Sequence, residues 1–403
     1  MNRKISPSTA LLLALALLPI QALAFPLASP LEAGEIPEIV ETHSIIGGIV
    51  GDLYGRKLSC NGRRAAAGTF TATHMLFRQS SNQWLGLEFL NSASVSALDS
   101  HQFAYQLPTG TEVRGWTDGS AQSDPGVLFP ALGPADSLAI SDNLLALGVV
   151  IDREINVYRW NGAQWHLDFH QQNPFPLSSL GTSVDLDGSR LAFSDPNFGN
   201  GLTGEVFLRA RNPLGIWFDF GTIRAPGEEV ENGFGASLSL SGDWLAVGAP
   251  FEDTIFGTDM GAIYLYKADA VGFFQLRTLL FGTQSGARFG SSVELDGHTL
   301  IVGAPKEDTH HPARVDVARG AAYVYWRSGD DWDQVARLSA LNGFEGDELG
   351  TSVCIGGDSV LAGAPRFGVL EPGGVFVYQG LVAPFFADGF ESGDTSAWTL
   401  TVP

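Results

Sequence analysis

The sequence predicts an all-β fold: a seven-bladed β-propeller of four-stranded antiparallel blades, its ring closed by a strand from the N-terminus. Three observations predict it. The 403-residue chain carries 49 glycines and 21 prolines but only 3 methionines, a composition of short strands joined by tight turns. A seventeen-residue pattern recurs, as FGASLSLSGDWLAVGAP at 234–250, FGSSVELDGHTLIVGAP at 289–305 and LGTSVCIGGDSVLAGAP at 349–365. Further alternating runs follow each recurrence, giving four strands at a period of roughly 40 to 60 residues, the signature of a propeller blade.

The first 24 residues read as an export signal. MNRK supplies the positive start, ALLLALALLP the apolar centre, and Ala22-Leu23-Ala24 the small-residue cleavage site. No cysteine follows that site, so a lipid anchor is not expected, and no other apolar run is long enough to cross a bilayer. The propeller is placed at residues 25–384 and an acidic tail at 385–403. We expect an exported monomer, periplasmic, secreted or associated with the cell surface. Removal of Arg3 and Lys4 with the signal takes the formal charge from −21 to −23. So acidic a chain repels nucleic acid and anionic membrane surfaces, and that class of partner is excluded.

The blades follow from a fixed ruler. With the start set at Gly181, Gly235, Gly290 and Gly350, the turn glycine falls seven residues later, at Gly188, Gly242, Gly297 and Gly357. Thirteen residues on stand Gly248, Gly303 and Gly363, with Ser194 in the weaker copy. Fainter copies start at Gly55, Ala93 and Ala135. Eleven residues after each start comes Ala66, Ala104, Ala146, Ala192, Ala246, Val302 or Ala362, a column of small residues that implies close approach of neighbouring backbone. Positions three and five are mostly apolar, the period of a strand with one buried face. A third run follows, as in GAIYLYKA and GGVFVYQG, and a fourth opens on Trp84, Trp165, Trp217, Phe274 or Trp332. The last copy lacks its fourth strand. Residues 36–46, IPEIVETHSII, supply it from the N-terminus and remove an open edge.

These residues carry a resemblance. F/L-G-x-S, then G-A-P, then G-A-x-Y-V-Y resembles the FG-GAP repeat of integrin α-subunit propellers and of exported bacterial proteins, strongly over residues 178–380 and more faintly over 36–177. The resemblance implies a seven-bladed propeller that acts as a binding or adhesion module. Integrin-type repeats often carry an acidic D-x-D-x-D-G hairpin for Ca²⁺. The corresponding turns here, SLSGDW, ELDGHT, CIGGDS and DLDGSR, hold one or two carboxylates each, fewer oxygens than the ion needs. The chain therefore resembles a bacterial, metal-poor subtype, and no cofactor is expected.

Other chemistry is sparse. Asp308, His310 and His311 form the densest group of potential metal ligands, although adjacent histidines rarely face one ion. Glu252 and Asp253 follow one Gly-Ala-Pro, Glu307 and Asp308 another. Four carboxylates on one rim either hold a cation such as calcium or solubilise exposed loops. No G-x-S-x-G, H-E-x-x-H, P-loop or C-x-x-C motif is present. Trp116 and Trp398 fall outside the strand-four column and are the candidates for carbohydrate stacking. The expected function is a non-catalytic adhesion or binding propeller whose rim loops meet a protein or glycan. The alternative is a secreted hydrolase or lyase with its site on the axis. Cys60 and Cys354, in the first strands of the first and last blades, are either bridged across the closing ring or two buried thiols.

Overall fold

The computed structural model describes the chain from Glu38 to Val382. Residues 1–37, 123–134, 309–318 and 383–403, with several shorter loops, lie outside that description. The predicted export signal, the acidic tail with Trp398, and His310 and His311 fall there.

The described strands form seven sheets, six of four strands and one of five. The third shows the pattern: Ser137–Ser141, Leu144–Val149, Glu154–Trp160 and Trp165–Gln172 pair in chain order, every pair antiparallel. The inner strands of the seven sheets are Lys57–Asn61, Ser96–Leu98, Ser137–Ser141, Val184–Asp187, Ser237–Ser241, Ser292–Asp296 and Ser352–Gly356. Each packs beside the next, and Ser352–Gly356 packs beside Lys57–Asn61.

The expectation at the N-terminus is corrected in part. His43–Ile46 does complete the last sheet, antiparallel to Gly374–Gln379 with Ile45 opposite Val375. Glu38–Val40, assigned to the same strand from sequence, instead joins the sixth sheet in parallel, opposite Arg337–Ser339. The blades are therefore not uniform four-stranded copies, since the sixth sheet carries the fifth strand. Its outer strand, Asp331–Ser339, is nine residues long and offers a free backbone edge, which recruits passing chain.

Packing explains the small-residue column. Ala66, Ala104, Ala146, Ala192, Ala246, Val302 and Ala362 are all fully buried, where a larger side chain would push neighbouring sheets apart. The aromatic that precedes the start glycine packs on the tyrosine of the third run. Phe234 meets Tyr264 edge to face at 5.2 Å, and Phe289 meets Tyr323 at 5.5 Å.

The serine of F-G-x-S joins one sheet to the next. Its Oγ donates to the carbonyl of the following start glycine: Ser137 to Gly181 and Ser237 to Gly290 at 2.8 Å each. Ser292 donates to Gly350 at 2.8 Å, and Ser352 to Gly55 at 2.7 Å. The glycine thirteen residues after the serine's own start leaves room for this bond. A Cβ on Gly148 or Gly248 would lie 2.3 or 2.2 Å from that same carbonyl oxygen, and one on Gly303 or Gly363 only 1.9 Å. In the fourth sheet Ser194 takes the glycine's place, and the bond changes. There Ser183 Oγ accepts from the Leu238 N–H at 3.2 Å.

Candidate functional site

Two regions could carry function, the axis and one rim. At the axis the inner strands border a cavity of about 570 Å³. Its charged lining comes from four sheets: Lys57, Asp136, Asp185 with Asp187, and Glu294 with Asp296. Each inner strand is the edge of its sheet, so its N–H groups need partners from outside it. Neighbouring side chains supply them. Ser59 Oγ accepts from Leu98 N–H at 3.1 Å and Asp185 Oδ2 from Leu240 N–H at 2.7 Å. Ser239 Oγ accepts from Leu295 N–H at 3.1 Å and Glu294 Oε1 from Ile355 N–H at 3.2 Å. Two residues further along, Ser141, Asp187 and Ser241 cap Gly188, Gly242 and Gly297 in the same way.

This placement perturbs the acids. Burial pushes the Asp185 carboxyl up to about 6, although the Leu240 and Leu186 N–H groups and Ser239 favour its charged form. Burial also drives Glu294 well above the usual carboxylate range, and the charges of Asp185 and Asp296 add to the effect. Charged groups thus converge on the axis, as the enzyme alternative requires. Most are committed to structure: Asp136 accepts from Val150 N–H at 2.8 Å, and Asp187 pairs with Arg190 at 2.8 Å. No histidine lines the cavity among the described residues. Chemically the axis offers protonatable carboxyls that stitch backbone.

The rim follows from the meander. In an antiparallel four-stranded sheet, the loop between strands two and three and the connection to the next sheet lie at the same end. Backbone bonds knit them together: Phe251 N–H to Asn232 O at 3.0 Å, Lys306 to Ala287 at 3.2 Å, and Arg366 to Asp347 at 3.3 Å. This end exposes Ile151, Phe175, Leu177, Phe251, Ile255, Phe256 and Phe344. Ile255 is 94% and Phe256 82% exposed, side by side at the tip of one hairpin.

That hairpin is firmly held. Thr254 and Gly257 exchange backbone bonds at 2.9 and 3.2 Å, and Thr254 Oγ1 accepts from Phe256 N–H at 3.1 Å. Asp253 Oδ1 accepts from Asp259 N–H at 2.8 Å. Ser285 Oγ and Gly286 N–H both donate to Thr258 O, at 3.0 and 2.8 Å. Arg288 lies 5.1 Å over the Phe251 ring. In FEDTIFGTDM the carboxylates stand out by their chemistry, whereas Ile255-Phe256 does not. The available signal was an apolar pair at a turn set among acids. The opposite end exposes Leu214, Ile216, Val271 and Phe273. There Phe273 stacks on Phe220 at 5.4 Å, so part of its surface is already covered.

The candidate ligands go to different places. Glu252 is buried and accepts from Asn232 Nδ2 at 2.7 Å. Glu307 is buried and accepts from Tyr323 OH at 2.5 Å and Arg337 Nε at 2.9 Å. Asp253 serves the hairpin, and the backbone of Asp308 exchanges bonds of 2.8 and 2.9 Å with the Gln284 amide. Among the described residues no three His, Cys, Asp or Glu gather as a metal site. Trp217 sits between blades, its Nε1–H donating to Asp168 at 2.8 Å. Trp116 belongs to Gly110–Thr117, the third strand of the second sheet. Cys60 and Cys354 are bonded, with their Cα atoms 5.5 Å apart.

The FG-GAP repeat family matches residues 217–266, 282–325 and 332–378. The first and third matches cover an outer strand and then the first three strands of the next sheet, and the second covers the first three strands of the sixth sheet. Integrin alpha-3 of Mus musculus is 34% identical over 135 residues. The match covers 30% of this chain and 12% of the integrin. Over the strongly patterned part of its sequence the chain thus carries three FG-GAP repeats and is similar to an integrin alpha chain. Among the described residues no helix is long and apolar enough to cross a membrane.

Proposed function

We propose that this propeller is an exported, non-catalytic binding module that engages a protein through the rim bearing the Ile255-Phe256 hairpin. One observation carries the reading: two adjacent large apolar side chains stand almost fully exposed on a hairpin whose backbone is held on every side. A soluble protein that keeps such a tip exposed and stiff has low ordering cost to meet when a partner covers it. The acids beside the tip, Asp253 and Asp259, and a net charge of −21 favour a partner pocket that is apolar within and basic around its border. The likeness to an integrin alpha chain supports a binding role.

The same proposal includes a ring of seven blades closed by His43–Ile46. Its support is that the bonds between the last and first sheets repeat those of the other seams. The ring is taken to hold no structural calcium.

The test is an array of extracellular proteins and glycans probed with residues 25–403, wild type and the double variant Ile255→Asp with Phe256→Asp. We expect protein signals that the variant loses while its melting temperature stays unchanged. Binding that survives the double variant would move the site elsewhere, and glycan signals alone would change the partner class. The acids at the axis favour the hydrolase or lyase reading. Turnover of a polysaccharide panel that Asp185→Asn abolishes in a folded protein would establish it instead.

A further inference from the structure

At the seam between the last and first sheets, a covalent bond stands where other seams use a hydrogen bond. Counted from each start, the side chain at position four caps the N–H at position five of the next sheet. Ser59 caps Leu98, Asp185 caps Leu240, Ser239 caps Leu295 and Glu294 caps Ile355. Cys354 is four residues after Gly350, and Cys60 is five after Gly55. The bonded cysteines therefore occupy the two positions that a cap would join.

We propose that Cys60–Cys354 is a thiol-sensitive latch on the seam that joins the two ends of the chain. Cys354 is fully buried, whereas Cys60 is half-buried and borders the axial cavity. A dithiol reductant entering from the axis meets Cys60 first. Its thiolate attacks Cys60 Sγ, the S–S bond breaks, and its electron pair leaves with Cys354 Sγ, which takes up a proton. The second thiol of the reductant then displaces Cys60, which leaves as a thiol, and the reductant becomes a cyclic disulfide. Two electrons pass to the protein and two thiols remain.

Reduction does not restore a cap, because sulfur is a weak hydrogen-bond acceptor. The seam then rests on Ser352 to Gly55 at 2.7 Å, on Tyr54 N–H to Pro372 O at 3.1 Å, and on the pairing of His43–Ile46 with Gly374–Gln379. The latch thus controls how firmly the N-terminal strand and first sheet stay docked.

The experiment treats native residues 25–403 with dithiothreitol, counts thiols and follows amide hydrogen exchange by peptide. Two thiols should appear without denaturant. Exchange in peptides covering 43–46, 57–61 and 352–356 should quicken by about tenfold or more, while 237–241 stays unchanged. Cys60→Ala with Cys354→Ser should exchange more slowly at the seam than Cys60→Ala with Cys354→Ala, because a hydroxyl there can cap as Ser239 does. Neither variant should respond to reductant. A bridge that resists native reduction overturns the latch. So does exchange that rises equally in all sheets, or two double variants that exchange alike.

Discussion

Replacing Gly303 with alanine should be among the most damaging single-methyl additions this protein can receive. An ideal Cβ at that position lies 1.9 Å from Gly350 O, 2.3 Å from Ser292 Oγ and 2.8 Å from the Gly350 carbonyl carbon. Gly303 is absent from the positive-φ glycines, so alanine meets no dihedral penalty and the effect is steric. To admit the methyl, the next sheet's backbone must retreat by about an ångström, and Ser292 must give up its 2.8 Å bond to Gly350. Overpacking costs about 1–3 kcal/mol and a lost buried hydrogen bond about 0.5–1.5 kcal/mol. The sum is about 1.5–4.5 kcal/mol.

Two controls separate the components. Gly297→Ala adds a methyl in open space at φ +56°, which costs about 1–2 kcal/mol of backbone strain alone. Ser292→Ala removes only the hydroxyl, a loss of about 1 kcal/mol. Guanidinium unfolding of the oxidised protein, read at constant slope, compares all three. A Gly303→Ala protein within about 0.5 kcal/mol of wild type, or no less stable than Ser292→Ala, would refute the steric clash.

The acids at the axis predict a pH effect. A carboxyl raised to about 6, as at Asp185 and also at Asp347 through burial, binds its proton more tightly in the folded state. Stability is then highest below the ordinary carboxylate range and falls as pH rises through about 4 to 6, so moving from pH 7 to 5 should add about 1 kcal/mol at Asp185. Asp185→Asn should flatten that slope, and a wild-type midpoint that drops steadily on acidification to pH 5 would contradict it. EDTA should leave the unfolding midpoint in place, because the buried glutamates after Gly-Ala-Pro already have protein partners. A fall of many degrees would reveal a structural ion.

Much of the fold was legible because propeller seams impose strict positional demands. The start glycine, the serine two residues later and the glycine at thirteen form one contact across a seam, so all three recur together. The alanine column was legible for the same reason, since a larger residue at Ala246 or Ala362 would prise sheets apart. The N-terminus was less so. Residues 36–46 show one alternating pattern, and which residues pair with which edge depends on the free length of Asp331–Ser339. No local preference encodes that. At the candidate site, sequence singled out acids by their chemistry, but Glu307 points at Arg337 and Tyr323 instead of outward. Burial of a charged side chain depends on partners thirty residues away, which a local pattern does not contain. The Ile255-Phe256 tip was missed for the opposite reason. Apolar letters read as core until the turn that ejects them is known.

The fourth sheet shows that the repeat encodes contacts and not merely strands. Where glycine gives way to Ser194, a Cβ added to the facing Gly235 would come 2.9 Å from the Ser194 Cβ. The space for a serine-to-carbonyl bond is filled. Ser183 cannot use the bond made by Ser137, Ser237, Ser292 and Ser352, and it instead accepts from Leu238 N–H. Asp185 and Asp187 add acceptors for Leu240 and Gly242 on the same strand. One altered letter is thus accompanied by a hydroxyl and two carboxylates that cap N–H groups across the seam. The last sheet departs in another way, keeping serine and glycine but placing cysteine where the cap would be. Both departures fall at positions that face a neighbouring sheet, where a change in one side chain requires an answer across the seam. The chain repeats its seventeen residues because each copy must fit the copy before it and the copy after it.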